Sequence, residues 1–419
     1  MRNQFKSYNE LKVEQEVQLR KMIRFSYNNV PFYKKWFDDH KIAPDDIKSI
    51  EDLSKLPILT KEIINKYWKA FKPLNLGEIS YYERATGGTT GTPLKYRITK
   101  EERFLSGALL YRGWSYAGYD LGDKMVFLGG SALGVSAKSS LATKVHELAR
   151  NIRKLSAFDM GEDDLAKYRA IINRFKPKFI YGYPSAIYFF AKWIQEHDLE
   201  IFKPDAIFTT SEKLYPHMRD FIQSVFDCEV FDGYGANDGG VTAFECPEHS
   251  GLHIDMERAV MEVVDEDGNQ IENGEGRIVA TSLYNYAMPF IRYDIGDIGH
   301  IIDDDCSCGR PYKLLKEVVG RSVDILITPE GKKIHGWFFQ HIFWEYCKGV
   351  KEYQVIQEKL DKIVIKIVPE DDFDEKQLDK IKEIIRLRSA SWNVEFKFVD
   401  KIERTGAAKY KYIINNLLR

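Results

Sequence analysis

Short apolar segments that stop at glycine or threonine, each followed by a helical stretch, constrain this chain more than any other feature. Lys124-Met125-Val126-Phe127-Leu128 runs into Gly129-Gly130, and Phe179-Ile180-Tyr181 runs into Gly182. Ala206-Ile207-Phe208 runs into Thr209-Thr210-Ser211-Glu212. Residues 162–175 and 185–197 between them carry helical periodicity. Strands alternating with helices predict a mainly parallel α/β sheet. Such sheets bind ligands at the loops that follow their strands.

The flanking regions have other textures. Residues 9–28 place Leu11, Val13, Val17, Leu19, Met22 and Ile23 among charges at helical spacing. Asn28-Asn29-Val30-Pro31 ends that helix, because the residue before proline disfavours the α region. A second helical piece follows from Pro31. From Ala259 the pattern changes: Ala259–Val264, Gly276–Ala280 and Ile298–Ile302 read as strands separated by Asp267-Gly268-Asn269 and Asn273-Gly274. An antiparallel β subdomain is expected there. Tyr353–Gln357 and Lys362–Val368 predict a hairpin, residues 373–388 a helix and Val394–Val399 a further strand. The expected fold class is therefore α/β, in two domains. Residues 1–320 form a large N-terminal domain of mainly parallel sheet and helices, with a β subdomain at about 241–320. Residues 321–419 form a small α+β domain.

The chain has 419 residues, enough for two or three domains. Its 44% hydrophobic and 30% charged content excludes a disordered chain. Lys+Arg number 61 and Asp+Glu 63, so no global positive field exists to hold nucleic acid, and no nucleic-acid partner is expected. No apolar run approaches the roughly 18 residues of a membrane span, so no membrane partner is expected either. The charged start lacks a signal peptide's apolar stretch. The cysteines, 228, 246, 306, 308 and 347, are sparse and odd in number. A disulfide framework is not expected, and a cytoplasmic protein is. A homodimer is left open as an assembly.

The strongest local signal is Thr86-Gly87-Gly88-Thr89-Thr90-Gly91-Thr92-Pro93-Leu94-Lys95. Its glycines let backbone approach a ligand closely, and its hydroxyls and N–H groups suit phosphate. It is neither a Walker loop nor a dinucleotide fingerprint, since neither Gly-Lys-[Ser/Thr] nor G-x-G-x-x-G is present.

This run resembles the phosphate-binding loop of adenylate-forming enzymes, and four further segments resemble that superfamily's signatures in the right order. They are Gly233-Tyr234-Gly235-Ala236-Asn237-Asp238, Arg292-Tyr293-Asp294-Ile295-Gly296-Asp297, Gly320-Arg321-Ser322-Val323-Asp324 and Arg404-Thr405-Gly406-Ala407-Ala408-Lys409. Asn29-Val30-Pro31-Phe32-Tyr33, Tyr181-Gly182-Tyr183-Pro184-Ser185 and the modest length resemble the phenylacetate–CoA ligase and capsular polysaccharide biosynthesis branch. The resemblance implies that Thr86, Gly87, Gly88, Thr89, Thr90, Gly91 and Lys95 meet the ATP phosphates. It implies that Tyr234, with Gly235, Ala236 and Asn237, flanks adenine, and that Asp238 takes Mg²⁺. Asp297 would accept from the ribose hydroxyls, and Arg321 would reach ribose or phosphate. Lys409 would be the adenylation cation, with Asp238 and Thr90 completing the catalytic set. The C-terminal domain would be mobile, hinged at residues 320–324. The chain departs from the pattern at Asn237-Asp238, at Val323, and at Gly406-Ala407-Ala408; Lys411 competes for the lysine role.

A second constellation is metallic. Cys246-Pro247-Glu248-His249 and Cys306-Ser307-Cys308 offer three thiolates and an imidazole. That set suits a closed, structural, tetrahedral zinc site, with His253 as a substitute ligand. Aromatic clusters such as Tyr181/Tyr183 and Trp337-Phe338-Phe339 read first as core.

The functional expectation is an ATP-dependent ligase that converts a small carboxylic acid to an acyl-adenylate and pyrophosphate. The acyl group then passes to a thiol, CoA in the phenylacetate–CoA ligase-like reading, or to an amine. The alternatives are a non-catalytic nucleotide-binding or scaffold protein, an amide-forming ligase of surface-polysaccharide or secondary-metabolite biosynthesis, and a carbohydrate-pathway transferase that uses no ATP.

Overall fold

The computed structural model describes residues 2–418 apart from 86–93, 131–132, 134, 136–146, 148, 158–159, 322–324 and 405–409. The chain divides between Val319 and Gly320 into two compact units. The larger opens with α1 (Tyr8–Asn29), started by a capping box in which Glu10 N–H donates to Ser7 Oγ and Ser7 N–H donates to the Glu10 carboxylate. Val30 is extended at φ −113°, and Pro31 starts α2 (Pro31–Asp39) in the first-turn position where a missing N–H costs nothing. After α3 (Lys61–Lys66), the hairpin β1 (Tyr81–Ala85) and β2 (Lys95–Thr99) flanks the Gly/Thr run. The Thr99 hydroxyl then caps α4 (Lys100–Ser115).

The parallel sheet follows. It is built from β3 (Met125–Gly129), β4 (Ile152–Ser156), β5 (Phe179–Gly182), β6 (Ala206–Thr209) and β7 (Glu229–Phe231) in the order β4-β3-β5-β6-β7. All of its pairings are parallel. The connections carry α5 (Glu162–Phe175), α6 (Pro184–Glu196) and α7 (Pro216–Phe226). The strands β5 and β6 are buried throughout, as short apolar runs covered on both faces require.

The next sheet is antiparallel. Its strands are β8 (Gly233–Ala236), β9 (Val241–Glu245), β10 (Leu252–Ile254), β11 (Ala259–Val264), β12 (Gly274–Ser282), β13 (Tyr293–Ile302) and β14 (Leu314–Arg321). The order is β11-β12-β13-β14-β10-β9-β8. The sheet curls strongly, because Ala236 and Val241 near one edge share a buried cluster with Ala259 and Ala280 near the other. Both the strand at 259–264 and the antiparallel character agree with the sequence reading.

The second unit, taken by itself, has the hairpin β15 (Ile325–Ile327) and β16 (Lys333–His335), then α8 (Trp337–Tyr346). A four-stranded sheet follows from β17 (Val350–Lys359), β18 (Lys362–Pro369), β19 (Asn393–Phe398) and β20 (Ile413–Asn415), with α9 (Gln377–Arg388) between β18 and β19. Phe339 and Ile342 of α8, and Ile381 and Ile385 of α9, pack on Val355, Ile363 and Ile365 of the sheet. Phe338 and Phe339 are thus core residues of this unit. No helix among the described residues is long and apolar enough to cross a membrane.

Candidate active site

Asp297 lies within β13, buried, and its Oδ2 accepts a hydrogen bond of 2.8 Å from the Tyr234 hydroxyl on β8. These strands are separated by three others in the sheet, so only the curl brings them together. A bulge aims the carboxylate. Arg277 of β12 pairs Ile298, but Val279 pairs Asp294, so β13 spends two extra residues there. Gly296 takes φ +83° within the bulge, and its N–H donates to Asp294 Oδ1 at 2.8 Å. Bulges redirect side chains in this way next to functional sites.

The turn after β8 carries Asn237 and Asp238. It closes with Gly240 N–H donating to Ala236 C=O at 2.9 Å, and Gly240 adopts φ +76°. At Gly239 a Cβ would meet the Ala280 Cβ at 2.7 Å, so this turn presses directly on β12. Asp238 Oδ2 accepts from the Tyr293 hydroxyl at 3.3 Å. Burial pushes the Tyr96 phenol up to about 12, with the Asp238 carboxylate adding to the effect. Tyr96 follows Lys95 on β2, so the described arm of the Gly/Thr hairpin and the Asp238 turn are neighbours.

A buried ion pair holds these two pieces. Arg258 Nε donates to Glu102 Oε1 of α4 at 2.6 Å, and Arg258 Nη2 donates to Asn237 Oδ1 at 3.3 Å. Both charged side chains are essentially inaccessible. Burial pushes the Glu102 carboxyl up, and the Arg258 guanidinium opposes that rise. A second buried network joins Arg112 of α4 to Asp255 and Glu257, with the Thr242 hydroxyl on Asp255 at 2.6 Å. Arg292 is structural. Its buried guanidinium donates to Glu262, Leu56 C=O and Gly268 C=O, fixing the N-terminal segment to the sheet.

At the end of the parallel sheet, Asp232 follows β7. Its Oδ1 accepts from the Thr209 hydroxyl at 2.6 Å and from Gly233 N–H at 3.0 Å. Burial pushes this carboxyl up to about 6, and the Thr209 hydrogen bond works against the shift. Trp114, Tyr181, Thr210, Asp232 and Gly233 line a cavity of about 10 Å³ there, room for one water. Tyr183 is core.

Of the expected site residues, the structure brings Tyr234, Gly235, Ala236, Asn237, Asp238 and Asp297 together, with Lys95 exposed on the neighbouring hairpin. Thr86, Gly87, Gly88, Thr89, Thr90, Gly91 and Lys409 lie outside the described residues, as does the Arg321 side chain. Lys411 is half-buried, and its carbonyl accepts from Gln354 Nε2 at 2.9 Å. Glu102, Arg258 and Asp232 were not anticipated. Only the loop after β6 carried a signal, since Ala206-Ile207-Phe208 reads as a parallel strand running into Thr209.

One metal-ligand expectation needs correcting. Cys246, Cys306 and Cys308 converge, but the histidine that joins them is His253, with all four ligand atoms within 4.8 Å of one another. His249 instead turns its Nδ1 toward Arg219 Nη1 and Glu245 Oε1, each at 3.2 Å. It adopts φ +48° and closes a turn, its N–H donating to Cys246 C=O at 3.0 Å.

This arrangement has the fold of the adenylate-forming ligases. A crystal structure of 2-hydroxyisobutyryl-CoA ligase in the postadenylation state with R3-HIB-AMP superposes with a TM-score of 0.77, covering 99% of this chain and 91% of that one at 18% identity. The chain's curated homologues are Protein CapK and phenylacetate-CoA ligases. Protein CapK of Staphylococcus aureus is 25% identical over 414 residues, 98% of this chain and 90% of that protein. The Phenylacetate-coenzyme A ligase of Thermus thermophilus is 25% identical over 378 residues, 85% and 81% of the two chains. Residues 326–416 match the model of the CapK C-terminal domain.

Proposed function

We propose that this chain is an AMP-forming ligase that activates a small carboxylic acid with ATP and transfers the acyl group to the thiol of CoA. The observation that carries this reading is the hydrogen-bonded Asp297–Tyr234 pair beside the Asp238 turn, in a chain with the adenylate-forming fold. An acid oxygen attacks the α-phosphorus, and the bond to pyrophosphate breaks. The CoA sulfur then attacks the acyl carbon, loses its proton, and AMP leaves.

Each residue has a role in that scheme. The Asp297 carboxylate accepts from the ribose hydroxyls, a task for a group with only acceptors. Tyr234, its hydroxyl tied to Asp297, holds its ring against adenine. Asp238 is half-exposed and acceptor-only, which fits a hard cation, so it would hold Mg²⁺. Bound there, Mg²⁺ would neutralise phosphate charge. Thr86, Thr89, Thr90 and the adjacent glycines cradle the phosphates, with Lys95 and Arg321 adding positive charge near them. Lys409 supplies the cation between the carboxylate and the α-phosphate. A ligase that consumes ATP and CoA would work in the cytoplasm.

Product analysis tests the reading. With ATP, Mg²⁺, CoA and a panel of aryl, amino and sugar acids, at least one acid should give AMP, pyrophosphate and an acyl-CoA in equal amounts. Acid-dependent formation of ADP and phosphate, or AMP and pyrophosphate without a thioester, would contradict it.

A further inference from the structure

We infer that Cys246, His253, Cys306 and Cys308 hold one zinc ion in a closed four-ligand site. It would clamp the β9–β10 connection to the β13–β14 connection of the curled sheet. Cys246 follows the last residue of β9. His253 lies on β10, opposite Phe244 of β9 and Leu314 of β14. Cys306 and Cys308 lie between the ends of β13 and β14.

The separations suit a tetrahedron. Zn–S of about 2.3 Å and Zn–N of about 2.0–2.1 Å put ligand atoms roughly 3.5–3.8 Å apart. Cys246 Sγ and Cys306 Sγ are 3.6 Å apart, and Cys308 Sγ and His253 Nε2 are 3.4 Å apart. A disulfide needs sulfurs at about 2.05 Å, and these cysteines are free.

Three further features point to a cation. Each sulfur accepts a backbone N–H from two residues on: Cys246 from Glu248, Cys306 from Cys308 and Cys308 from Arg310. Such bonds stabilise thiolate and orient it, as the groups surrounding a bound metal do. Gly309 at φ +75° completes the Cys306 turn, its N–H donating to Cys306 C=O at 3.0 Å. His253 is fully buried, and its Nε2 is the ring nitrogen that faces the Cys308 sulfur. Three thiolates and a neutral imidazole around Zn²⁺ leave one negative charge, and the Arg310 guanidinium that bonds to Cys308 offsets it. With three sulfurs and a nitrogen in place no coordination position stays open, so the site is structural.

The test uses the purified full-length protein. Elemental analysis should give about one zinc per chain. Exchange with Co²⁺ should give a thiolate-to-metal charge-transfer band of tetrahedral intensity. His249→Ala should keep the metal and the band. His253→Ala and Cys306→Ser should lose at least half of the metal. Because those variants could fail to fold, His253→Cys serves as the second arm. It should fold, keep one metal per chain and shift the Co²⁺ band toward that of a four-thiolate site. Protein that carries no zinc and takes up no Co²⁺ would overturn the inference. So would iron in the site, or metal lost on His249→Ala and kept on His253→Ala. Metal content reads this site whether or not the chain has ligase activity.

Discussion

Asp297 is buried and Asp232 half-buried, and their partners give them different work. Asp297 takes the Tyr234 hydroxyl and, in the proposed scheme, the ribose. Asp297→Ala should weaken ATP binding by about 1.5–3 kcal/mol, the range for hydrogen bonds to a charged group, as calorimetry would read. An unchanged affinity would remove it from the site. Asp232 carries a pH signature. Its carboxyl moves from 3.8 up to about 6 on folding, chiefly through burial. Between those values the folded chain binds more protons than the unfolded one, so this group's contribution to stability falls as pH rises. The loss is complete above about pH 6. Asp232→Asn removes the titration, so the variant's stability relative to wild type should improve by roughly 1–3 kcal/mol between about pH 4 and pH 7. Denaturant melts at several pH values measure this, and a flat difference would show that Asp232 titrates normally.

At the scale of elements, the parallel strands were legible because Gly129, Gly182 and Thr209 end continuous apolar runs. The start of β13 was not. The expected strand opened only at Ile298, whereas the structure starts β13 at Tyr293 and uses Gly296 for a bulge inside it. Gly296→Ala tests this. A Cβ there meets nothing within 4 Å, so only the φ of +83° opposes it. It should cost about 1–2 kcal/mol of stability and loosen ATP binding by misdirecting Asp297. Gly107→Ala is the control. It lies within α4, where a Cβ also meets nothing, and it should stabilise by about 0.5–1 kcal/mol. His249 shows a related limit. The Cys246–His249 spacing suggested a pair, but strand register decides ligation, and the register of β10 delivers His253.

At the scale of the molecule, what sequence order could not show is which distant charges meet inside the larger unit. Glu102 and Arg258 are far apart in the chain, and nothing in either neighbourhood marks the other. Their pairing joins α4, and so the β2 hairpin arm, to the turn bearing Asn237 and Asp238. Glu102→Ala should destabilise the protein by about 3–5 kcal/mol, because Arg258 would stay buried without its carboxylate. Thermal unfolding would measure that loss, and a change under about 1 kcal/mol would mean that water replaces the pair. The curl that seats Tyr234 against Asp297 was equally invisible, since it depends on Gly239 fitting against Ala280. By contrast, the ordered motifs from Thr86 to Lys409 pointed to the adenylate-forming fold, which the structural likeness bears out.

The proposed function rests on one step, the joining of a carboxylic acid to AMP. ATP–pyrophosphate exchange measured without CoA isolates that half-reaction, with wild type, Lys409→Ala and Lys411→Ala run in parallel over the acid panel. Exchange should depend on one class of acid. Lys409→Ala should lower exchange at least a hundredfold while ATP still stabilises the protein thermally, and Lys411→Ala should retain exchange. Loss on Lys411→Ala alone would move the cation two residues along the chain. Absence of exchange with every acid tested, together with no thermal stabilisation by ATP, would contradict the proposed function.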